Sequence, residues 1–267
     1  MNTILRFFSL TLVLGGLSAC EEVIDIDLKD SEAKYVIEGV IANEAGACKV
    51  LISQSRKFAD DNTFPGISGA TVTVENKGVT RTLNETGKGI YQNTSVTGIP
   101  GETYSLSVKI GTRLFTASCT MPAPVRFDSL YLTRDDFDRS IRYATVSYRD
   151  PLNQKNAYRF VQYKNGKKEK SIFVENDEFT QGEQVNTQLD YYSTIDDQNT
   201  AFKKGDKVEI EMQCIDAAIY TYWFSLADGA SGNGENAAPA NPVSNLKGGA
   251  LGYFSAHTVQ RRSLLVR

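Results

Sequence analysis

Apolar and polar residues alternate with a period of two along most of this chain, the spacing at which successive side chains point to opposite faces of a strand. The first such run is KYVIEGVIAN, Lys34–Asn43. CKVLISQS, ATVTVEN, GVTRTLNE, GIYQN, TYSLSVKI and RLFTASCT follow, each cut from the next by Gly, Pro, Asn or Asp. In ATVTVEN, Val72 and Val74 share one face and Thr71 and Thr73 the other. Tyr104, Leu106 and Val108 repeat the pattern in TYSLSVKI. Seven short runs with turns between them predict an antiparallel β-sandwich over residues 34–122. Asn76-Lys77-Gly78 is a tight hairpin candidate. The prolines of Met121–Pro124 cannot continue a ladder, so a domain boundary is expected there.

The remainder, residues 123–267, also reads as mainly β. IRYATVSYRD, AYRFVQYKNG, KKEKSIFVEN and DKVEIEMQCID are strand-like, with Asn165-Gly166 closing a hairpin. The period then changes. Ile219, Tyr222, Trp223 and Leu226 recur at helical spacing, which predicts one helix near 217–227 with Asp216 as N-cap and Gly229 as stop. A small-residue loop follows. GALGYFSAHTVQRRSLLV closes the chain as one long or two broken strands, and its Gly248, Gly249 and Gly252 precede strand residues, where glycine marks a bulge or close packing.

The start of the chain is different. Ile4–Leu17 is apolar, with Arg6 near its beginning, and is too short for the ~20 apolar residues of a membrane span. A positive start, a short apolar core and small residues at its end describe a secretory signal, residues 1–19. Leu17-Ser18-Ala19-Cys20 has the form of a bacterial lipobox. Cys20 would then carry the lipid, and several acyl chains make a durable anchor. Residues 20–33 form an acidic tether. Glu21, Glu22, Asp25 and Asp27 are repelled by anionic headgroups. They also resemble the surface-export signal of Bacteroidota lipoproteins, which implies an address to the cell surface; a solvated tether with no address is the alternative.

Composition narrows the chemistry. The formal net charge is −3, which gives no basic footprint for nucleic acid. After Cys20, three cysteines remain. Cys48 and Cys119 fall in the same expected domain and could form a disulfide, or each could be a small buried thiol. There is one histidine, His257. Any Ser-His-Asp or Cys-His site would have to use it, and its strand context reads as a strand-edge or surface histidine. No catalytic set, cofactor or metal site is expected. Asp135, Asp136 and Asp138, and Asp196 and Asp197, are acidic loops without the spacing of a calcium loop. Aromatic rings are the remaining lead. Tyr191 and Tyr192 must point to opposite faces of a strand, which makes them candidate ligand contacts. Tyr220, Tyr222, Trp223 and Phe224 crowd the helix, where packing onto the sheet is the simpler account.

Several pieces recur in a recognisable order. The lipobox, YVIEGVIAN, ISGATVTVEN, GIYQN…GIPGETYSLSV, MPAPVRFDSLYL, AAIYTYWFSL and NPVSNLKGGALGYFSAHTV together resemble the Bacteroidota lipoprotein family known as domain of unknown function 4249. The first domain looks like the immunoglobulin-like or carboxypeptidase-regulatory-like sandwiches of bacterial surfaces. The second is then a mainly-β domain with one short helix. The resemblance implies an outer-membrane lipoprotein, often encoded beside a TonB-dependent receptor. With the lipid anchor, the two β domains and the absent catalytic set, it leads to the expectation of an accessory binding component that works with such a receptor in nutrient uptake, facing the cell surface if the acidic run is an address. It implies no catalytic residues. A structural or adhesive surface protein is the alternative that a sandwich would serve equally well.

Overall fold

The structure, a computed structural model, describes residues 33–55, 64–190, 202–231 and 241–267. Residues 33–267 belong to one compact unit. The seven expected strands of the first part are present: β1 (Tyr35–Ala42), β2 (Cys48–Gln54), β3 (Thr71–Asn76), β4 (Val79–Gly87), β5 (Ile90–Gln92), β6 (Thr103–Ile110) and β7 (Arg113–Thr120). Lys77 and Gly78 both take positive φ between Asn76 and Val79, so β3 and β4 join through the primed two-residue turn that suits strand twist. Val72, Val74, Tyr104, Leu106 and Val108 are all buried, as their alternation requires.

The second part contains β8 (Phe127–Arg134), β9 (Arg142–Arg149), β10 (Ala157–Lys164), β11 (Lys167–Lys168), β12 (Phe173–Asn176), β13 (Gln184–Leu189) and β14 (Lys207–Cys214). Helix α1 (Ala217–Ser231) and β15 (Leu251–Leu265) complete the chain. Asn165 and Gly166 close the β10–β11 hairpin, again with positive φ at both. KKEKSIFVEN is split: β11 and β12 each pair with β10, one after the other. β8 and β13 are found in addition, flanking β9 in a three-stranded sheet. Their burial explains why they are hard to read: Gln184–Leu189 buries only Leu189, and β8 only Phe127.

β15 organises the rest. Its first half, Leu251–His257, runs parallel to β1; its second half, Thr258–Leu265, runs antiparallel to β14. One long strand thus serves two partner sets in the order β11-β10-β14-β15-β1-β2-β5-β4-β3-β6-β7. Two hydrophobic clusters form on its two halves. One gathers Ile37, Val50, Leu106, Phe115 and Phe254; the other gathers Phe127, Val146, Tyr158, Phe160 and Ile210. The first cluster also takes in Ala157, Ile215 and Ile219 from the second part of the chain, and β15 contributes to both clusters.

The edge of β15 opposite β1 is covered by side chains, not by a strand. The Asn245 side chain accepts from the Phe254 N–H (3.0 Å) and donates to the Phe254 carbonyl (2.8 Å). Ser244 Oγ donates to the Gly252 carbonyl at 2.6 Å, and the Ala256 N–H donates to Cys119 Sγ at 3.0 Å. Gly252 has φ +96°, and a Cβ there would lie 2.1 Å from the Ile37 carbonyl oxygen. The Asn-Pro…Gly-Gly…Leu-Gly-Tyr-Phe-Ser-Ala segment is therefore a device for seating β15 against β1.

Cys48, Cys119 and Cys214 are free and buried. The Cys48–Cys119 disulfide is thus not formed. Cys48 sits opposite Ile41 on β2, whereas the Cys119 thiol on β7 donates to Asp216 Oδ2 at 3.0 Å. Burial raises both thiols, Cys48 to about 11, so both are inert packing groups. Asp216 also accepts from the Ile219 N–H at 2.9 Å, the expected N-cap. The helix continues past Gly229 to Ser231. No helix among the described residues is long and apolar enough to cross a membrane.

Candidate functional site

The apolar residues of β10, β14 and β15 alternate toward the core, so their odd-numbered partners line up on the opposite face. Register fixes the rows. Arg159 pairs with Gln213, which pairs with Val259; Val161 pairs with Glu211, which pairs with Arg261. Tyr253, Ser255 and His257 continue this face along the first half of β15. α1 packs against β10, β12 and β15 and brings Trp223 over the face. The result is a cleft of about 260 Å³ floored by sheet and walled by Trp223 and Tyr253.

The polar groups of the cleft are mostly tied to one another. Arg261 Nε donates to Glu211 Oε2 at 2.9 Å, and Arg261 Nη2 lies 2.7 Å from the same oxygen. Arg261 Nη1 donates to Glu44. The hydrogen bond to Glu44 is the largest cause that raises Arg261 above its ordinary value; burial opposes it, and the charge and hydrogen bond of Glu211 add to the rise. Gln213 Nε2 donates to Glu211 Oε1 at 2.5 Å. Arg159 differs. Its Nη1 donates to Gln213 Oε1 at 3.1 Å, its guanidinium lies 3.7 Å from the Trp223 ring centre, and its buried Nε has no partner among the described residues. Burial lowers its pKa from the ordinary arginine value. Trp223 is further held edge-on by Tyr222 and Tyr253, with ring centres 5.3 and 5.1 Å away.

His257 corrects an expectation. It is neither a strand-edge nor a surface residue but is 5% exposed, because β15 is an interior strand and this face lies under the cleft. Ser255 Oγ is 2.8 Å from His257 Nδ1. Burial, with the Arg159 charge adding to it, pushes His257 down to about 3. The imidazole is neutral at physiological pH.

Trp223 is the aromatic residue of the helix that lines the site, and Tyr222 packs behind it against Trp223 and Tyr253. Tyr222 is buried, Trp223 half-buried, and Phe224 exposed and stacked on Tyr220. Cys20, Glu21, Glu22, Asp25 and Asp27, and Tyr191, Tyr192, Asp196 and Asp197, lie outside the described residues. Asp135 Oδ1 accepts from the Phe137 and Asp138 N–H groups, and Asp138 Oδ1 from Ser140. These carboxylates build a turn. Among the described residues no three His, Cys, Asp or Glu side chains gather as metal ligands would. Arg159, Glu211 and Gln213 were missed by sequence reasoning. Their signal was a charged or amide side chain opposite an apolar row, Tyr158 and Phe160 in β10 and Val208, Ile210 and Met212 in β14.

A family model described as "Domain of unknown function (DUF4249)" matches residues 21–263. No curated protein matches the chain. Among solved structures, a chain of a cytokine receptor complex aligns over 85% of this chain and 94% of its own, at 10% identity and TM-score 0.27. A Bacteroides uniformis ATCC 8492 protein, described there as a proposed carbohydrate-binding protein, aligns over 86% of this chain and 98% of its own, at 11% identity and TM-score 0.25. Likeness at these scores carries no argument about function. The family match covers almost the whole chain, and the chain belongs to that family.

Proposed function

We propose that this member of the DUF4249 family is a non-catalytic binding protein, anchored to the outer membrane by lipid on Cys20, that works with a TonB-dependent receptor in nutrient uptake. One observation carries the binding role. The cleft presents Arg159 on a Trp223 shelf with part of its hydrogen-bonding capacity unused, and buried polar groups are as a rule satisfied. The non-catalytic reading is supported by the same site. Its one histidine, the residue suited to general acid–base work, is held neutral and far from the operating pH such a role requires. The lipobox and the acidic residues after Cys20 support the anchor and the outward address.

Mild-detergent extraction of tagged protein from the native membrane, followed by identification of what co-purifies, tests the role. A stoichiometric receptor barrel is the expected result. Recovery of the lipidated protein alone, from cells in which candidate receptors are expressed, would overturn the accessory role and favour a structural or adhesive one.

A further inference from the structure

The charges of the cleft do not balance within it. Glu211 and Glu44 both engage Arg261, and Glu211 also accepts from Gln213. Arg159 has no carboxylate partner among the described residues. Lys168, at the rim, has its pKa lowered by burial and then by the charge of Arg159, so these two cations repel each other across the opening. The lining groups Arg159, Lys168 and Arg261 face Glu44 and Glu211, three positive charges against two negative. Glu38 is on the same side of β1, opposite Tyr253 in the register, outside the lining. His257 adds no charge.

The unused capacity has a shape. A guanidinium bonds a carboxylate with two parallel N–H groups of one edge. Arg159 commits Nη1 to Gln213 and one flat face to Trp223, and Nε is left without an acceptor. A ring under a guanidinium attracts its charge but takes none of its in-plane hydrogen bonds. Trp223 and Tyr253, packed edge to face, supply aromatic wall in the same cleft. The volume, about 260 Å³, is just below the range of pockets for drug-sized ligands, ~300–1,000 Å³. It suits one sugar ring or the last residues of a peptide.

We infer that the cleft binds a small carboxylate-bearing ligand, with its carboxylate on Arg159 and Lys168 and its body against Trp223 and Tyr253. This names the ligand class for the binding role proposed above and rests on it. The carboxylate has two natural sources, an acidic sugar or the free C-terminus of a short peptide.

Trp223 is the only tryptophan of the chain, so intrinsic fluorescence reports this site alone. The whole chain is titrated with glucuronate against glucose, and with triglycine against triglycine amide. A saturable change with at least one carboxylate, and none with its neutral partner, is expected. Response to glucuronate alone identifies an acidic sugar, response to triglycine alone a peptide terminus, and response to both a site that reads the carboxylate itself. Arg159→Gln should weaken binding by about ten-fold or more, the worth of a charge-assisted hydrogen bond. Arg159→Lys should recover only part of it, since the ammonium lacks the fork. Lys168→Gln, at the exposed rim, should weaken binding without touching the fold, so the test holds even if Arg159→Gln unfolds. The inference is overturned if no carboxylate probe saturates, if neutral partners respond equally, or if folded Arg159→Gln and Lys168→Gln both bind like wild type. Receptor capture is scored separately on the same variants. A receptor complex without carboxylate binding removes the ligand class and leaves the accessory role; carboxylate binding without a receptor does the reverse.

Discussion

The guanidinium of Arg159 lies 3.7 Å from the centre of the Trp223 ring, so the charged residue of β10 and the tryptophan of α1 share one position over the sheet. Arg159 is 9% exposed, and a buried charge is costly unless compensated. The ring supplies part of that compensation and Gln213 another part. Helix docking and cleft chemistry are therefore one feature.

Trp223→Ala should cost about 1–3 kcal/mol, the combined worth of the cation–π and ring–ring contacts. Trp223 is half-buried, so the loss should fall short of a full core truncation, ~3–5 kcal/mol. Thermal unfolding checks this. Because β15 belongs to both hydrophobic clusters, the shift should appear in a single transition, and two separate transitions would contradict that coupling.

Gly252→Ala should be far worse. The substitution adds strain at φ +96° and drives a methyl group into the Ile37 backbone. Strain and overpacking together make about 3 kcal/mol or more. Expression with loss of the cooperative urea transition is the expected outcome; a variant as stable as wild type would mean β15 and β1 are not in this register.

Tyr158 donates to Asp150, which is 1% exposed. Tyr158→Phe keeps the ring contact with Tyr148, centres 4.6 Å apart, and removes only the hydrogen bond. One oxygen of a buried carboxylate then loses its donor, which costs about 1–3 kcal/mol. The midpoint of urea unfolding reads the difference.

His257 makes stability depend on pH. Its folded pKa, about 3, is depressed from 6.5 first by burial and then by Arg159, with Glu44 opposing and Arg261 adding. Below 6.5 the unfolded chain takes up a proton that the folded chain refuses. Its stability contribution is therefore complete above pH 6.5 and is lost as pH falls toward 3, about 2 kcal/mol by pH 5. His257→Gln should remove this slope. Parallel wild-type and variant curves between pH 7 and pH 5 would show that His257 is not buried as described.

Cys20→Ala should release the protein from the membrane fraction, since the lipid is the expected anchor. Replacing Glu21, Glu22, Asp25 and Asp27 with Ala should leave lipidation intact and reduce protease shaving of intact cells. A Cys20→Ala protein that still resists a carbonate wash would refute the anchor, and equal shaving would refute the address.

The sequence by itself determined the elements where one face is apolar and the other polar. The alternation of Val72 and Val74, of Tyr104, Leu106 and Val108, and of Val208, Ile210 and Met212 reports local geometry, and each of these side chains is buried. The hairpins at Lys77-Gly78 and Asn165-Gly166 are equally local, since φ > 0 restricts the residue type. β8 and β13 left weak traces because they are short of buried apolar positions. The cleft left almost none. His257, in a strand alternating like the others, cannot announce that β15 is an interior strand, because that depends on a parallel pairing with β1 more than two hundred residues earlier in the chain. Arg159, Glu211 and Trp223 come from three elements whose meeting is set by sheet order and helix docking. Periodicity fixes which way a side chain points. Only the tertiary structure decides what it points at, because that is a property of contacts between segments distant in the chain.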